Sequence, residues 1–302
     1  MDYKLGQLVS HSKFGIGKII KIDGNRLEIV FKTQGSKPIT IATDHFRPEV
    51  LANQSDPVLD RLDVSKPYNH KVRTTKPRKT KLSLTHEQAI NKFVNIFHLG
   101  FSDPKYFGTP KTGERCHKLQ AHELWVKTLD QKAFAQLLAD KEYEEIVGRA
   151  LKVGGKTDLL FKQEKMALHD AVQEPEAAEK FARGLFDLIY GTDGFEGRFN
   201  RFTEVLDALP QGQTGVANWP TQTIFPFLAL PKEHLFLKPA ATQHAAEGRN
   251  FSLNYQSRPN WQTYSCLLRF GELLMQDLAH LKPQDMIDIQ SFIWVVETYK
   301  NP

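Results

Sequence analysis

Cysteine is nearly absent: Cys116 and Cys266 are the only two in 302 residues. They lie far apart, so no disulfide framework can be read and a reducing compartment is expected. No stretch approaches the roughly 20 consecutive apolar residues that a membrane-spanning helix needs. The opening MDYKLGQLV lacks the basic stretch followed by an apolar run that marks a secretory leader. The expectation is a cytoplasmic chain with no membrane partner. Neither sign of charge is in large excess: 40 Lys and Arg against 35 Asp and Glu leave a formal +5. That balance permits polyanion binding without requiring it. Tyrosine is scarce beside phenylalanine, 8 against 20, which points to a well-filled apolar interior.

Catalytic motifs are missing as well. Gly15 and Gly17 do not form a phosphate loop. A Walker A sequence needs glycine where Ser12 stands and Ser or Thr where Ile19 stands, and a dinucleotide fingerprint needs glycine at Ile20. Their simpler role is to let a strand bend sharply. No serine sits in a nucleophile elbow. His122-Glu123 opens like a zinc-protease helix, but position 126 is Val. Cys116, His117 and His122 lack the paired spacings of zinc sites, so neither a metal nor a cofactor is expected. Asp158, Glu164 and Lys165 do not have the spacing of a metal-dependent nuclease. Asp285 and Asp288, three apart, share one helical face and read as a solvated face or as a complement to the helix dipole.

What is present begins with short strands. Residues 18–22 are apolar and β-branched, and Asp23-Gly24 follows as a hairpin signal. Residues 26–32 alternate, with Leu27, Ile29 and Phe31 on one side and Glu28 and Lys32 on the other. A second turn is expected at Gln34-Gly35-Ser36, then a strand with Ile39 and Ile41 on one face. Several short strands at close spacing suggest a small barrel, which removes exposed edges.

The run Val9, His11, Phe14-Gly15, Gly17, Gly24, Val30-Phe31, Gly35 and Lys37 resembles the Tudor-like module at the C-terminus of UvrD-type DNA-repair helicases. It is more distantly similar to the RNA polymerase-interacting module of CarD-type regulators. The resemblance covers residues 5–51. It implies a small SH3-like barrel with no catalytic role that contacts a protein or nucleic acid, with RNA polymerase or repair proteins as the partners. No helicase core accompanies it. His11, Phe14 and Lys37 become partner-contact candidates, although a His and a Phe in such a module more often pack its interior.

Residues 66–82 carry Lys66, Lys71, Arg73, Lys76, Arg78, Lys79 and Lys81 with no acid, together with prolines at 67 and 77. This composition reads as an extended connector. Such a run attracts phosphate backbones without choosing a sequence, or it is simply a solvated linker.

Helical signals dominate from residue 83 on. Thr85 and Gln88 make a capping box, and Ile90, Phe93, Val94 and Phe97 form a helical stripe. Further stripes surround Trp125, Phe134 and Ile146. A helix is expected over residues 158–172. Pro175 suits the first turn of the next, which buries Ala178, Phe181, Leu185 and Leu188. Asn260 caps one long closing helix, and Pro283 opens the other. Before both, between Trp219 and Leu237, the apolar runs TIFPFLAL and HLFL read as a buried hairpin or as extended segments, with Pro226 arguing against a regular central strand. Lys238 follows the second run, with Thr242 and His244 just after. A lysine there is placed to hold a phosphate, or more plainly it snorkels or pairs with an acid. The tail DMIDIQSFIWVV, with LFLKP and Asn260-Trp261, resembles a stretch of uncharacterised bacterial proteins and implies no activity.

The sequence therefore predicts a multidomain α+β chain. A Tudor-like β-barrel occupies residues 1–55, a basic linker 56–82, and a mainly helical domain with a short β or extended insertion 83–302. The leading expectation is a non-catalytic binding protein associated with nucleic acid or with transcription and repair machinery. Its rivals are a nuclease-like hydrolase with a site near Lys238 and Asp285, and a structural subunit of a bacterial defence or repair complex.

Overall fold

The computed structural model describes residues 3–32, 35–41, 47–52, 54–56, 59–60 and 84–300. Two units emerge, Met1–Thr80 and Lys81–Pro302.

The first unit is an antiparallel sheet of β1 (Leu8–His11), β2 (Gly15–Asp23), β3 (Arg26–Phe31), β4 (Gly35–Thr40) and β5 (Glu49–Val50), in the order β4-β3-β2-β1-β5. The alternation in β3 works as expected: Leu27, Ile29 and Phe31 are buried and join Val9, Ile19 and Ile39 in a small core. Asp23 pairs with Arg26, so Gly24 and Asn25 form a two-residue turn, and Gly24 supplies the positive φ (+55°). Two residues expected in the second turn belong to a strand instead. Gly35 and Ser36 are already in β4, paired with Phe31 and Val30, because this register places Ile39 opposite Leu27 on the core face. Lys18 reaches the Leu59 carbonyl (3.1 Å) and Lys32 the Asp56 carboxylate (2.9 Å), so this unit extends past residue 55.

Gly17 is where β2 touches the core most closely. A Cβ added there would lie 2.6 Å from Ile29 Cγ2 and 2.7 Å from Phe31 Cδ1. Gly17→Val is therefore expected to destabilise the sheet unit by about 1–3 kcal/mol through overpacking. Urea unfolding followed by a probe within the sheet measures this loss, and a neutral effect would contradict the packing described.

The second unit contains, among the described residues, α1 (His86–Ile96), α2 (Pro104–Phe107), α3 (Cys116–Thr128), α4 (Gln131–Ala139), α5 (Tyr143–Gly155) and α6 (Lys162–Ala171). These are followed by α7 (Pro175–Tyr190), α8 (Phe195–Ala208), α9 (Trp219–Ala229), α10 (Pro239–Gly248), α11 (Trp261–Asp277) and α12 (Met286–Thr298). The Thr85–Gln88 capping box opens α1, Pro175 occupies the first turn of α7, and Asn260 caps α11 through the Thr263 N–H. On α7, Ala178, Phe181, Leu185 and Leu188 are all fully buried. Two boundaries move inward. Glu164 accepts from the Phe161 N–H (2.7 Å), so α6 starts at Lys162 and leaves Asp158 outside. Asp285, not Pro283, opens α12 by accepting from the Ile287 N–H (3.0 Å).

The largest departure is TIFPFLAL, which is neither hairpin nor extended but lies in α9. Every residue of α9 is buried, and α3, α5, α6, α7 and α8 all pack around it. A helix buried on all sides needs no polar face, so its sequence shows no 3.6-residue stripe. Pro226 removes one backbone donor without ending the helix, which continues until the Leu230 N–H bonds to the Pro226 carbonyl (2.9 Å). The extended part is confined to the stretch around Leu235–Leu237, whose Leu237 N–H donates to Thr223 Oγ1 of α9 (3.1 Å). No helix among the described residues is long and apolar enough to cross a membrane.

Candidate functional site

Buried polar side chains of the helical unit collect where α12 meets α3. Arg115 precedes α3 and is buried. Its Nη1 donates to Asp288 Oδ1 (2.6 Å) and Asp285 Oδ1 (2.9 Å), and its Nη2 to Asp285 Oδ2 (2.8 Å) and Gln284 Oε1 (3.2 Å). Asp288 also accepts from the Tyr106 hydroxyl and, at 2.7 Å, from the Gln284 N–H. One turn along α3, the buried Lys118 donates to Glu114 Oε2 (2.8 Å) and Ser291 Oγ (2.9 Å). The Tyr299 hydroxyl completes the chain on Glu114 Oε1 (2.9 Å).

Burial pushes the Asp288 carboxyl above its ordinary range, against the pull of Arg115 and the Tyr106 hydrogen bond. Burial likewise raises Tyr106 far above a normal phenol, with the facing Asp288 adding to it. For Arg115, burial works against the charge, but the two carboxylates outweigh it and hold the guanidinium firmly protonated. Asp285 and Asp288 are thus not a solvated face. Asp288 is fully buried, and both carboxylates clamp the start of α12 to Arg115.

Beyond Lys118 a narrow cleft opens, lined by Lys118, Asp158, Leu159, Phe236, Lys238, Gln290 and Trp294, with about 10 Å³ of room, enough for the centre of about one water. Among the described residues Gln290 Oε1 faces no hydrogen-bond partner. His117 Nε2 lies 3.2 Å from Asp158 Oδ1 and holds that carboxyl down to about 2. Lys238 Nζ bonds to the Leu159 carbonyl and to Glu164 Oε2, each at 3.1 Å, and stands 3.4 Å above the centre of the Phe161 ring. Burial lowers its affinity for a proton, and Glu164 counteracts that.

The expected phosphate site does not assemble. Lys238 is paired with an acid, the plainer of its two readings. Thr242 Oγ1 accepts the Lys238 N–H (3.2 Å) at the start of α10, and His244 faces Glu297 (3.1 Å). The reason is helical geometry: Thr242 shares a face with Lys238, whereas His244, two residues further, projects about 200° around α10.

In the sheet unit His11 is buried. Its ring stacks on Phe14 at 4.7 Å and meets Phe31 edge-on at 5.8 Å, while its Nδ1 accepts the Lys13 N–H (3.1 Å). His11 therefore packs the interior. Phe14 is half-buried with the Lys13 ammonium 5.7 Å from its ring centre, and Lys37 is half-buried on β4 opposite Ile29. Lys71, Arg73, Lys76, Arg78, Lys79 and Lys81 lie outside the described residues.

No known family, curated protein or solved structure matches this chain.

The arrangement itself must therefore say what these groups do. The buried cations and carboxylates engage one another, and the cleft beside them has room for the centre of about one water. Among the described residues no group of three His, Cys, Asp or Glu is placed to hold a metal. Sequence reasoning passed over Arg115, Lys118 and Ser291. A signal was available: Lys118 stands at i−3 and i−7 from Ala121 and Trp125, on the apolar stripe of α3, and Ser291 sits among Ile287, Ile289, Phe292 and Ile293 on α12.

Proposed function

We propose that this chain is a non-catalytic binding protein that works with nucleic acid or with transcription and repair machinery. In this reading the sheet unit is a Tudor-like barrel that docks a partner such as RNA polymerase or a repair protein, and the basic segment grips phosphate backbones. The observation that carries it is the run Lys66, Lys71, Arg73, Lys76, Arg78, Lys79 and Lys81, without a single acid, following a small antiparallel sheet. Such a run supplies sequence-independent affinity through counterion release. Further support comes from the helical unit, where Arg115, Lys118 and Lys238 are engaged by carboxylates of the same unit.

A hydrolase is the second reading, because Lys118, Lys238 and Asp158 line one cleft. Binding is favoured over it because that cleft admits about one water and both lysines are already paired.

Fluorescence anisotropy on short duplexes of unrelated sequence, and on a single strand, tests the proposal. Binding at low salt that ignores sequence and weakens steeply as salt rises is the expected result. No binding at low salt, where phosphate contacts are strongest, would remove nucleic acid from the direct partners. Phe14→Ala, checked for folding by circular dichroism, is expected to leave that affinity unchanged while a protein partner is lost.

A further inference from the structure

The helical unit contains a recess that the charged network does not touch. It lies between the C-terminal half of α5 and the length of α6, measures about 350 Å³, and has Phe225 of α9 in its lining. Ala150, Leu151, Leu160 and Leu168 make its walls apolar, and Lys165 and His169 are the polar side chains that line it. This size and lining match the usual small-molecule pocket, mostly apolar with a few placed polar groups.

Two glycines line the recess. Gly154 and Gly155 end α5 and line it. Neither has a positive φ, so the backbone does not require glycine there. A Cβ at Gly154 would meet only Ile224 Cδ1, at 3.6 Å, and one at Gly155 would meet nothing within 4 Å. Two glycines in a helix cost it about 1 kcal/mol each relative to alanine. Here they leave open space that side chains would otherwise fill.

The polar residues point to a charge sign. Lys165 Nζ donates to the Thr157 carbonyl at 2.6 Å, which fixes the ammonium by a backbone contact rather than by a carboxylate. An ammonium has three donors, so two remain. Of the acids nearest in sequence, Glu164 is engaged by Lys238 and the Phe161 N–H and Asp158 lies beside His117, while Asp170 bonds His169 at the recess lining itself. Lys152 and Lys156 are exposed and adjoin the lining residues Leu151 and Gly155 in the chain. Met166, just over half exposed, separates this recess from a second, more polar concavity along α6.

We propose that the α5–α6 recess binds a small apolar molecule carrying one anionic group, its apolar body against Phe225, Leu160 and Leu168 and its charge at Lys165. A medium-chain monocarboxylate is its simplest representative. This assignment is independent of nucleic-acid binding.

Isothermal titration of the full chain with octanoate, octanol and octylammonium, each kept below its aggregation concentration, tests the proposal. Octanoate is expected to bind about tenfold tighter than octanol, and octylammonium more weakly than either. Lys165→Met keeps an apolar stem of similar length and is expected to reduce octanoate affinity to that of octanol without changing octanol itself. Gly155→Phe adds a side chain where nothing obstructs it and is expected to abolish binding of both, whereas Gly155→Ala retains it. Melting curves confirm that the variants fold. Absence of octanoate binding to the unaltered chain overturns the proposal, as does octanoate affinity that survives Gly155→Phe. Equal affinity for all three probes overturns the anionic assignment. Binding confined to an acidic amphipathic peptide would make the recess a peptide dock and would equally refute a small-molecule site.

Discussion

Arg115→Met is expected to cost the helical unit about 3–5 kcal/mol, the loss seen when one partner is removed from a buried ion pair. At roughly 2–4 °C per kcal/mol for a unit of this size, the melting temperature falls by about 6–20 °C. Arg115 is the common partner of Asp285 and Asp288. Without it the fully buried Asp288 keeps the hydrogen bonds from Tyr106 and Gln284 but has no countercharge. Burial already pushes that carboxyl towards its neutral form, so the variant takes up a proton rather than leave the charge unpaired. The double variant Arg115→Met/Asp288→Asn tests this: removing the orphaned charge is expected to recover a substantial part of the loss, a coupling that two independent sites would not show. Calorimetry on four proteins, the unaltered chain, Arg115→Met, Asp288→Asn and the double variant, measures it. A loss under about 1 kcal/mol for Arg115→Met would mean that the clamp behaves like an exposed pair.

Acid is expected to weaken the same unit through His234. This side chain is 4% exposed, with the Phe195 ring centre 4.1 Å away and the Tyr264 hydroxyl 3.3 Å from Nδ1. Burial, reinforced by the Arg198 charge, holds its pKa down to about 4 from an ordinary 6.5. The folded state therefore favours neutral imidazole. Its contribution is complete above pH 6.5 and is lost as pH falls from there through 4, by about 3 kcal/mol in all at 1.36 kcal/mol per unit. Carboxylates also titrate over this window, so the informative quantity is a difference. Between pH 7 and 4, urea stability of the unaltered protein is expected to drop by about 3 kcal/mol more than that of His234→Gln. Parallel pH profiles for the two proteins would show that His234 is not kept neutral by the fold.

These two residues mark the limit of what sequence reading reaches. Local signals read well because their physics is local. Thr85 with Gln88, Pro175 and Asn260 each cap or open a helix through neighbours within four residues, and β3 alternates because one face is buried. Signals failed where the environment is long-range. The α9 segment carries no amphipathic stripe because five helices surround it, and Pro226, which argued against a strand, gave no positive sign of a helix. Asp288 read as a surface residue because its partners, Arg115 and Tyr106, are 173 and 182 positions away. Lys238, Thr242 and His244 are close in the chain, but α10 keeps Thr242 beside Lys238 and turns His244 away to Glu297. His11, a candidate contact, turned inward because Phe14 and Phe31 close over it. The α5–α6 recess was invisible because a space left by glycine has no motif.

The central claim is that phosphate binding resides in the basic segment and not in the helical unit. Replacing Arg73, Lys76, Arg78 and Lys79 by Gln removes four positive charges. Each lost phosphate contact lowers the slope of log affinity against log salt on duplex DNA by roughly 0.9. Measured by anisotropy across a salt series on duplexes of unrelated sequence, the four-residue variant is expected to bind more weakly on each, with a slope flatter by about 3 to 4. A slope equal to that of the unaltered protein would contradict the claim.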